Sequence, residues 1–142
     1  TEIFDEIGCD FVDAFKNNIP MLQDLMHQLP FEKFLRIHVN ILKPGGYLLP
    51  HMDVHPGEYT KGLGHKIMIP LNLPQGFKFK VWGAGQVPLE IGKPVAVNTG
   101  KYLHAVINDS DQDRYMLHVK GLPGNTEQYR RFLENQNAYS KV

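Results

Sequence analysis

The sequence predicts a mainly β fold with flanking helices, a double-stranded β-helix or jelly roll. Three observations predict it: short segments of strand-like residues, Gly and Pro clusters between them, and helical periodicity confined to the two ends. From Asp10 to Leu29, Phe11, Val12, Phe15, Ile19, Leu22, Leu25, Met26 and Leu29 recur at helical spacing, with a break near Asn17 to Pro20. One or two helices packed outside a sheet are expected there. From Leu35 to Leu42 the period becomes two, with apolar Leu35, Ile37, Val39 and Ile41 alternating with polar Arg36, His38 and Asn40. This is a strand with one face in the core.

Further strands are expected at Tyr47 to Val54, His65 to Leu71, Phe77 to Trp82, Pro94 to Asn98, His104 to Ile107 and Arg114 to Lys120. Turns separate them at Pro44-Gly45-Gly46, Pro56-Gly57, Pro74-Gln75-Gly76, Gly83-Ala84-Gly85 and Gly92-Lys93-Pro94. Thr126 to Ala138 has helical character, with Asn125 or Thr126 as cap and Glu127 in the first turn. The expected organisation is one domain over 1–142: a helical flank at 1–34, a β-barrel core at 35–120 and a C-terminal helix at 125–139.

With 142 residues the chain buries most of its apolar surface without staples. A lone cysteine, Cys9, excludes an intrachain disulfide and a multi-cysteine zinc site, and favours a reducing, cytoplasmic setting. Lys plus Arg equal Asp plus Glu, and no basic run exceeds the pair Arg130-Arg131, so neither nucleic acid nor an anionic membrane is expected as partner. No apolar stretch approaches the roughly 18 to 20 residues that span a bilayer. The first residues are too polar for a secretory signal, and a start at Thr1 leaves room for an upstream segment. Nothing in the sequence bears on oligomeric state.

The chemistry is concentrated in His51-Met52-Asp53, His104 and Arg114. His51 and Asp53 are two apart and share a face on an extended strand, while His104 must come from a second strand folded beside them. Two imidazoles and one carboxylate on one side of a metal leave the opposite positions open, as suits non-haem Fe(II) and oxygen chemistry. Arg114, on a following strand, carries a fork that matches a carboxylate. The set points to an oxygenase with an acidic co-substrate.

Other groups have two readings each. Arg36, His38 and Asn40 face either the barrel mouth, as contacts for co-substrate or substrate, or solvent and the flanking helices. Arg114 serves the co-substrate or pairs with Asp111 or Asp113. His118 shares the face of Arg114 and Met116 and belongs to the pocket or its surround. Tyr47, Trp82 and Tyr102 line a substrate pocket or the core. His27 has no assigned role, and His55 is an alternative ligand beside Asp53.

The stretch from Arg36 to Lys120 resembles the 2-oxoglutarate and Fe(II)-dependent oxygenases, in their aspartyl/asparaginyl β-hydroxylase-like or proline hydroxylase-like branch. The resemblance rests on Arg36-Ile37, Lys43-Pro44-Gly45-Gly46, Pro50-His51-Met52-Asp53, Ile69-Pro70-Leu71, Asn98-Thr99, the run His104 to Ser110 and the run Asp113 to Val119. It implies Fe(II), 2-oxoglutarate and O2, with His51, Asp53 and His104 as iron ligands and Arg114 on the distal carboxylate of 2-oxoglutarate. It also implies hydroxylation of an amino acid, a peptidyl side chain or a similar small acid. Some relatives carry Arg and then His just before Ile-Pro-Leu; here those positions are Lys66 and Met68, with His65 one place earlier. Lys66 keeps the charge without the planar fork, and Met68 cannot donate a hydrogen bond. Lys66, Asn40 and His38 are then the candidates for the remaining co-substrate contacts.

A second resemblance is to cupins at large. Gly45, His51, Asp53, Glu58 and Gly64 approximate a first cupin motif, and Gly100, His104 and Asn108 a second. This alternative implies another cupin-type metal enzyme or a non-catalytic binding module. Arg114 separates the two, because a 2-oxoglutarate enzyme requires a cation deep in the barrel.

Overall fold

Two sheets, antiparallel except where the last strand pairs, face each other, and the site lies between them. The computed structural model describes residues 20–53 and 65–142. Helix α1 (Pro20–Gln28) opens on a proline, whose fixed φ and missing N–H suit a first helical position. Strands β1 (Lys33–Leu42), β2 (Tyr47–His51), β3 (His65–Pro70), β4 (Phe77–Val81), β5 (Gly85–Gln86), β6 (Val95–Val97), β7 (His104–Asn108) and β8 (Arg114–Leu122) follow. Helix α2 (Thr126–Asn135) and strand β9 (Tyr139–Lys141) close the chain.

One sheet has the order β1-β8-β3-β6-β9 and the other β2-β7-β4-β5. From β1 to β8 consecutive strands thus alternate between facing sheets except at the β4-β5 hairpin, the jelly-roll arrangement expected from the sequence. Met68, Phe77, Phe79, Val81, Val87, Val95, Val97 and Met116 pack between the sheets. A second cluster lies outside the five-stranded sheet, where Leu25 and Leu29, from α1 and the turn after it, and Tyr129 and Leu133 of α2 cover Ile67, Ala96 and Val119. Gly121 permits this cover, since a Cβ there would stand 2.4 Å from Cγ of Phe31. Asn125 caps α2, its side chain accepting from the backbone N–H groups of Glu127 and Gln128 at 3.0 and 3.1 Å.

Several expectations change in detail. The first strand begins at Lys33, inside the expected helical flank, and the last barrel strand runs past Lys120 to Leu122. The parallel pairing of β9 with β6 has no counterpart in the sequence reading, since three residues after a helix carry no strand period. On β1 the polar face is the inner one, in agreement with the barrel-mouth reading of Arg36, His38 and Asn40, whereas Val39 and Ile41, expected in the core, are exposed. Ile37 alone of the odd positions from 37 to 41 packs on the outer cluster. The interior at this point is a polar cavity, so periodicity identifies the strand and inverts its inside and outside. The helical pattern before Pro20, and the loop with His55, Glu58 and Gly64, lie outside the described residues.

Candidate metal centre

His51 ends β2 and His104 begins β7, and the two are direct partners across the ladder. A β-bulge produces this register: Leu48 pairs with Val106 and His51 with His104, so β2 spends one more residue than β7 over the interval. In a regular strand residues three apart, such as Leu48 and His51, point to opposite faces; the bulge takes up the odd residue, so both face the cavity. Pro50, which has no N–H to give to a ladder, sits within the bulge. Asp53 lies two residues beyond the strand, and its backbone N–H donates to the Thr99 carbonyl at 2.9 Å.

The ligand-type atoms of His51, Asp53 and His104 all fall within 4.8 Å of one another. Nε2 of His51 is 3.1 Å from Oδ1 of Asp53, and Nε2 of His104 is 3.6 Å from the same oxygen. Each imidazole is oriented from behind: Nδ1 of His51 lies 2.7 Å from the Leu49 carbonyl and Nδ1 of His104 lies 3.1 Å from that of Tyr102. A carbonyl only accepts, so both Nδ1 atoms carry the proton and, in the neutral ring, both Nε2 atoms present a lone pair. Burial pushes His104 below its ordinary pKa and favours that neutral ring. Two bare nitrogens and a carboxylate oxygen aimed at one another repel unless a cation stands among them. The donor set therefore fits a divalent metal, and its two-nitrogen, one-oxygen composition fits Fe(II) with positions left open.

Asp53 is the charged member. Burial alone would raise its pKa, but the charge and hydrogen bond of Lys66, with help from Thr99, outweigh this and lower it to about 2. Nζ of Lys66 is 2.5 Å from Oδ2, the oxygen turned away from the imidazoles. Lys66 reaches across from β3, so this ion pair joins the two sheets at the centre.

A cavity of about 450 Å³ connects these residues to Arg114. The Arg114 side chain is buried, with 2% of the residue exposed. Nη2 donates to Oδ1 of Asn40 at 2.8 Å, and the guanidinium stacks on Phe77 with 4.8 Å from its carbon to the ring centroid. Nε has no hydrogen-bond partner, and burial lowers the pKa to about 10. Among the described residues no carboxylate pairs with it: Asp113, one of the alternatives, pairs with Lys43 at 2.8 Å. A buried cation without a counter-ion among the described residues is costly, and its position suits an anionic ligand in the cavity.

The floor between these points is a register of side chains across β1, β8 and β3. Arg36, Lys120 and Lys66 form one row, His38, His118 and Met68 the next, and Asn40 pairs with Met116 in the third. His118 lines the cavity with its ring 5.0 Å from that of His38, and burial, followed by the charges of Lys66, His38 and Arg114, lowers its pKa to about 3. Among the described lining residues Asp53 is the one carboxylate against four cations, Arg36, Lys66, Arg114 and Lys120.

The residues named from the sequence thus meet in one cavity: His51, Asp53, His104, Arg114, Lys66, Asn40 and His38 all line it. Lys66 contacts Asp53, and Asn40 contacts Arg114. The aromatic candidates do not line it: Tyr47 and Trp82 are exposed and Tyr102 packs against the core. Thr99 and Phe77 also belong to the site, without a sequence signal that marks them as such. Thr99 belongs to the quoted Asn98-Thr99 pair, and Phe77 to the inward alternation of Phe77, Phe79 and Val81, but neither pattern specifies a partner.

The sequence profile described as aspartyl/asparaginyl beta-hydroxylase matches residues 9–122. No curated protein matches the chain in sequence. Among solved structures, a cupin 2 conserved barrel domain protein from Salinispora arenicola is 20% identical, with 76% of this chain and 74% of that one covered, at a TM-score of 0.43. The viral collagen prolyl hydroxylase of Paramecium bursaria Chlorella virus-1, solved with 2OG, is 16% identical over 77% of this chain and 70% of its own, at 0.47. A salicylate 1,2-dioxygenase from Pseudaminobacter salicylatoxidans is 15% identical over 70% of this chain, which spans 25% of that protein, at 0.48. The fold assignment rests on the strand order above, not on these likenesses. Among the described residues no helix is long and apolar enough to cross a membrane.

Proposed function

Since the chain belongs to the aspartyl/asparaginyl beta-hydroxylase family, we propose that it is a 2-oxoglutarate- and Fe(II)-dependent dioxygenase that hydroxylates an amino acid, a peptidyl side chain or a similar small acid. The carrying observation is that one cavity contains both a set of three facing metal donors and, at its other end, a buried guanidinium without a carboxylate partner among the described residues. In this reading His51, Asp53 and His104 hold Fe(II), and Arg114, fixed by Asn40 and Phe77, receives the distal carboxylate of 2-oxoglutarate. Fe(II) with 2-oxoglutarate and O2 supplies the power to oxidise a C–H bond; the protein supplies orientation and excludes water.

The chain's own residues act in defined ways. The Leu49 and Tyr102 carbonyls keep both imidazoles in the tautomer that binds metal. Phe77, Phe79 and Met116 make the walls around Arg114 apolar, which strengthens any ion pair formed there. His118, held neutral beside Lys66, can serve as donor or acceptor without adding charge. Arg36 and Lys120, on the cavity wall beside Lys66, favour a substrate that carries an anionic group. The general cupin alternative leaves the buried Arg114 without a purpose.

The test is calorimetric titration of 2-oxoglutarate into metal-free and Fe(II)-loaded protein under anaerobic conditions. Binding that requires the metal is expected. Equal binding with and without metal, or none at all, contradicts the reading.

A further inference from the structure

We propose that Lys66 is a positioning residue that restricts Asp53 to one-oxygen coordination, rather than a contact to the co-substrate. This rests on the metal reading above. The two oxygens of Asp53 are already divided in their tasks: Oδ1 lies 3.1 and 3.6 Å from the two imidazole Nε2 atoms, and Oδ2 lies 2.5 Å from Nζ of Lys66. The backbone of Asp53 is tethered to the Thr99 carbonyl, so the carboxylate cannot follow a different metal position by sliding along the chain. Lys66 is itself fixed, as β3 pairs with β8 from His65 to Pro70 and leaves the Lys66 side chain 18% exposed.

The consequence lies in the count of coordination positions. A carboxylate is free to bind a metal through one oxygen or through both. Two histidines and a one-oxygen carboxylate leave half of an octahedral site for a chelating co-substrate and O2. A carboxylate that used both oxygens would occupy one of those positions. Lys66 prevents it by engaging Oδ2 with a charge-assisted bond, and it does so from the opposite sheet, so closure of the jelly roll sets the coordination mode. Lysine stands here where the family resemblance offers arginine, and a compact ammonium on a flexible stem is enough to cap one oxygen.

The experiment is ligand-field absorption of the Co(II)-loaded protein without 2-oxoglutarate, followed by calorimetric titration of 2-oxoglutarate, for the wild type and for Lys66→Met, Lys66→Gln and Lys66→Arg. The Co(II) spectrum is expected to shift in Lys66→Met and to stay close to wild type in Lys66→Arg. Lys66→Gln, which keeps a donor without charge, should fall between them, and its thermal transition checks folding independently of Lys66→Met. Co-substrate affinity should fall by about tenfold or more in Lys66→Met as a secondary effect. An unchanged Co(II) spectrum in Lys66→Met overturns the proposal, and if 2-oxoglutarate affinity still falls, Lys66 is a co-substrate contact. Failure of the wild type to bind Co(II) overturns the metal reading itself, which keeps the two failures distinct.

Discussion

Arg114 and Phe77 stack across the two sheets, with the guanidinium carbon 4.8 Å from the ring centroid. The ring holds one face of the fork while Asn40 holds Nη2, so the fork is oriented before any ligand arrives. Arg114→Ala is expected to weaken 2-oxoglutarate by about 2–5 kcal/mol, the range for loss of one partner of a buried charged pair. Arg114→Lys should restore only part of this, because an ammonium lacks the fork. Calorimetry of the metal-loaded variants checks both, and Co(II) affinity should stay at the wild-type value.

Why the fold was legible, and part of the site not, follows from the same residues. The alternation of β1 and the turn signals around β4 and β8 are local, and local period specifies a strand. The metal donors were legible because H-x-D spacing and a distant His are a chemical pattern, and Arg114 because the family resemblance covers it. What local period cannot give is the sense of a face when the interior is polar, which is why Val39 and Ile41 lie outside and His38 and Asn40 inside. Nor could it give Lys66–Asp53, an ion pair between residues 13 apart, one on β3 and the other just beyond β2. The bulge that turns His51 inward is a register event, and one sequence read strand by strand contains no register.

Asn108 seats the strand that carries Arg114. It is fully buried, its Nδ2 donates to the carbonyls of Leu42 and Gln112 at 2.9 and 2.7 Å, and its Oδ1 accepts from Ser110 at 2.6 Å. Asn108→Ala strands those carbonyls and should cost about 1–3 kcal/mol of stability, read from urea midpoints. It should also lower 2-oxoglutarate affinity while leaving Co(II) affinity unchanged, because the turn it holds leads into Arg114.

Gly76, in the turn before β4, meets the same turn. Its φ is +101°, and a Cβ there would lie 2.1 Å from the Asp109 carbonyl oxygen. Gly76→Ala is expected to destabilise by more than about 1 kcal/mol, since both the backbone region and the contact are unfavourable. Thermal unfolding checks it, and a melting temperature at or above wild type would contradict this packing.

His118 makes stability pH-dependent in one direction. Burial, then the charges of Lys66, His38 and Arg114, hold its folded pKa at about 3 against 6.5 when unfolded. Between those values the unfolded chain binds the extra proton, so stability is full above about pH 6.5 and is lost as pH falls toward about 3. Urea unfolding of metal-free protein should show a loss of up to about 1.4 kcal/mol per pH unit from this group. His118→Leu should reduce the slope without abolishing it, because burial lowers His104 and His65 as well. The Asp53 contribution, lost as pH falls from about 3.8 to about 2, overlaps only the acid end of this window, so the comparison is made above about pH 4. Equal slopes in the two proteins would remove His118 from the account.

The most direct measurement is anaerobic titration of the Fe(II)-loaded protein with 2-oxoglutarate, monitored in the visible region for the weak charge-transfer band of a chelated keto acid. A saturable band in the wild type that is lost in Arg114→Ala at the same co-substrate concentration is the expected result. Iron bound with no band at any concentration would contradict the central claim and leave the cavity to another cupin chemistry.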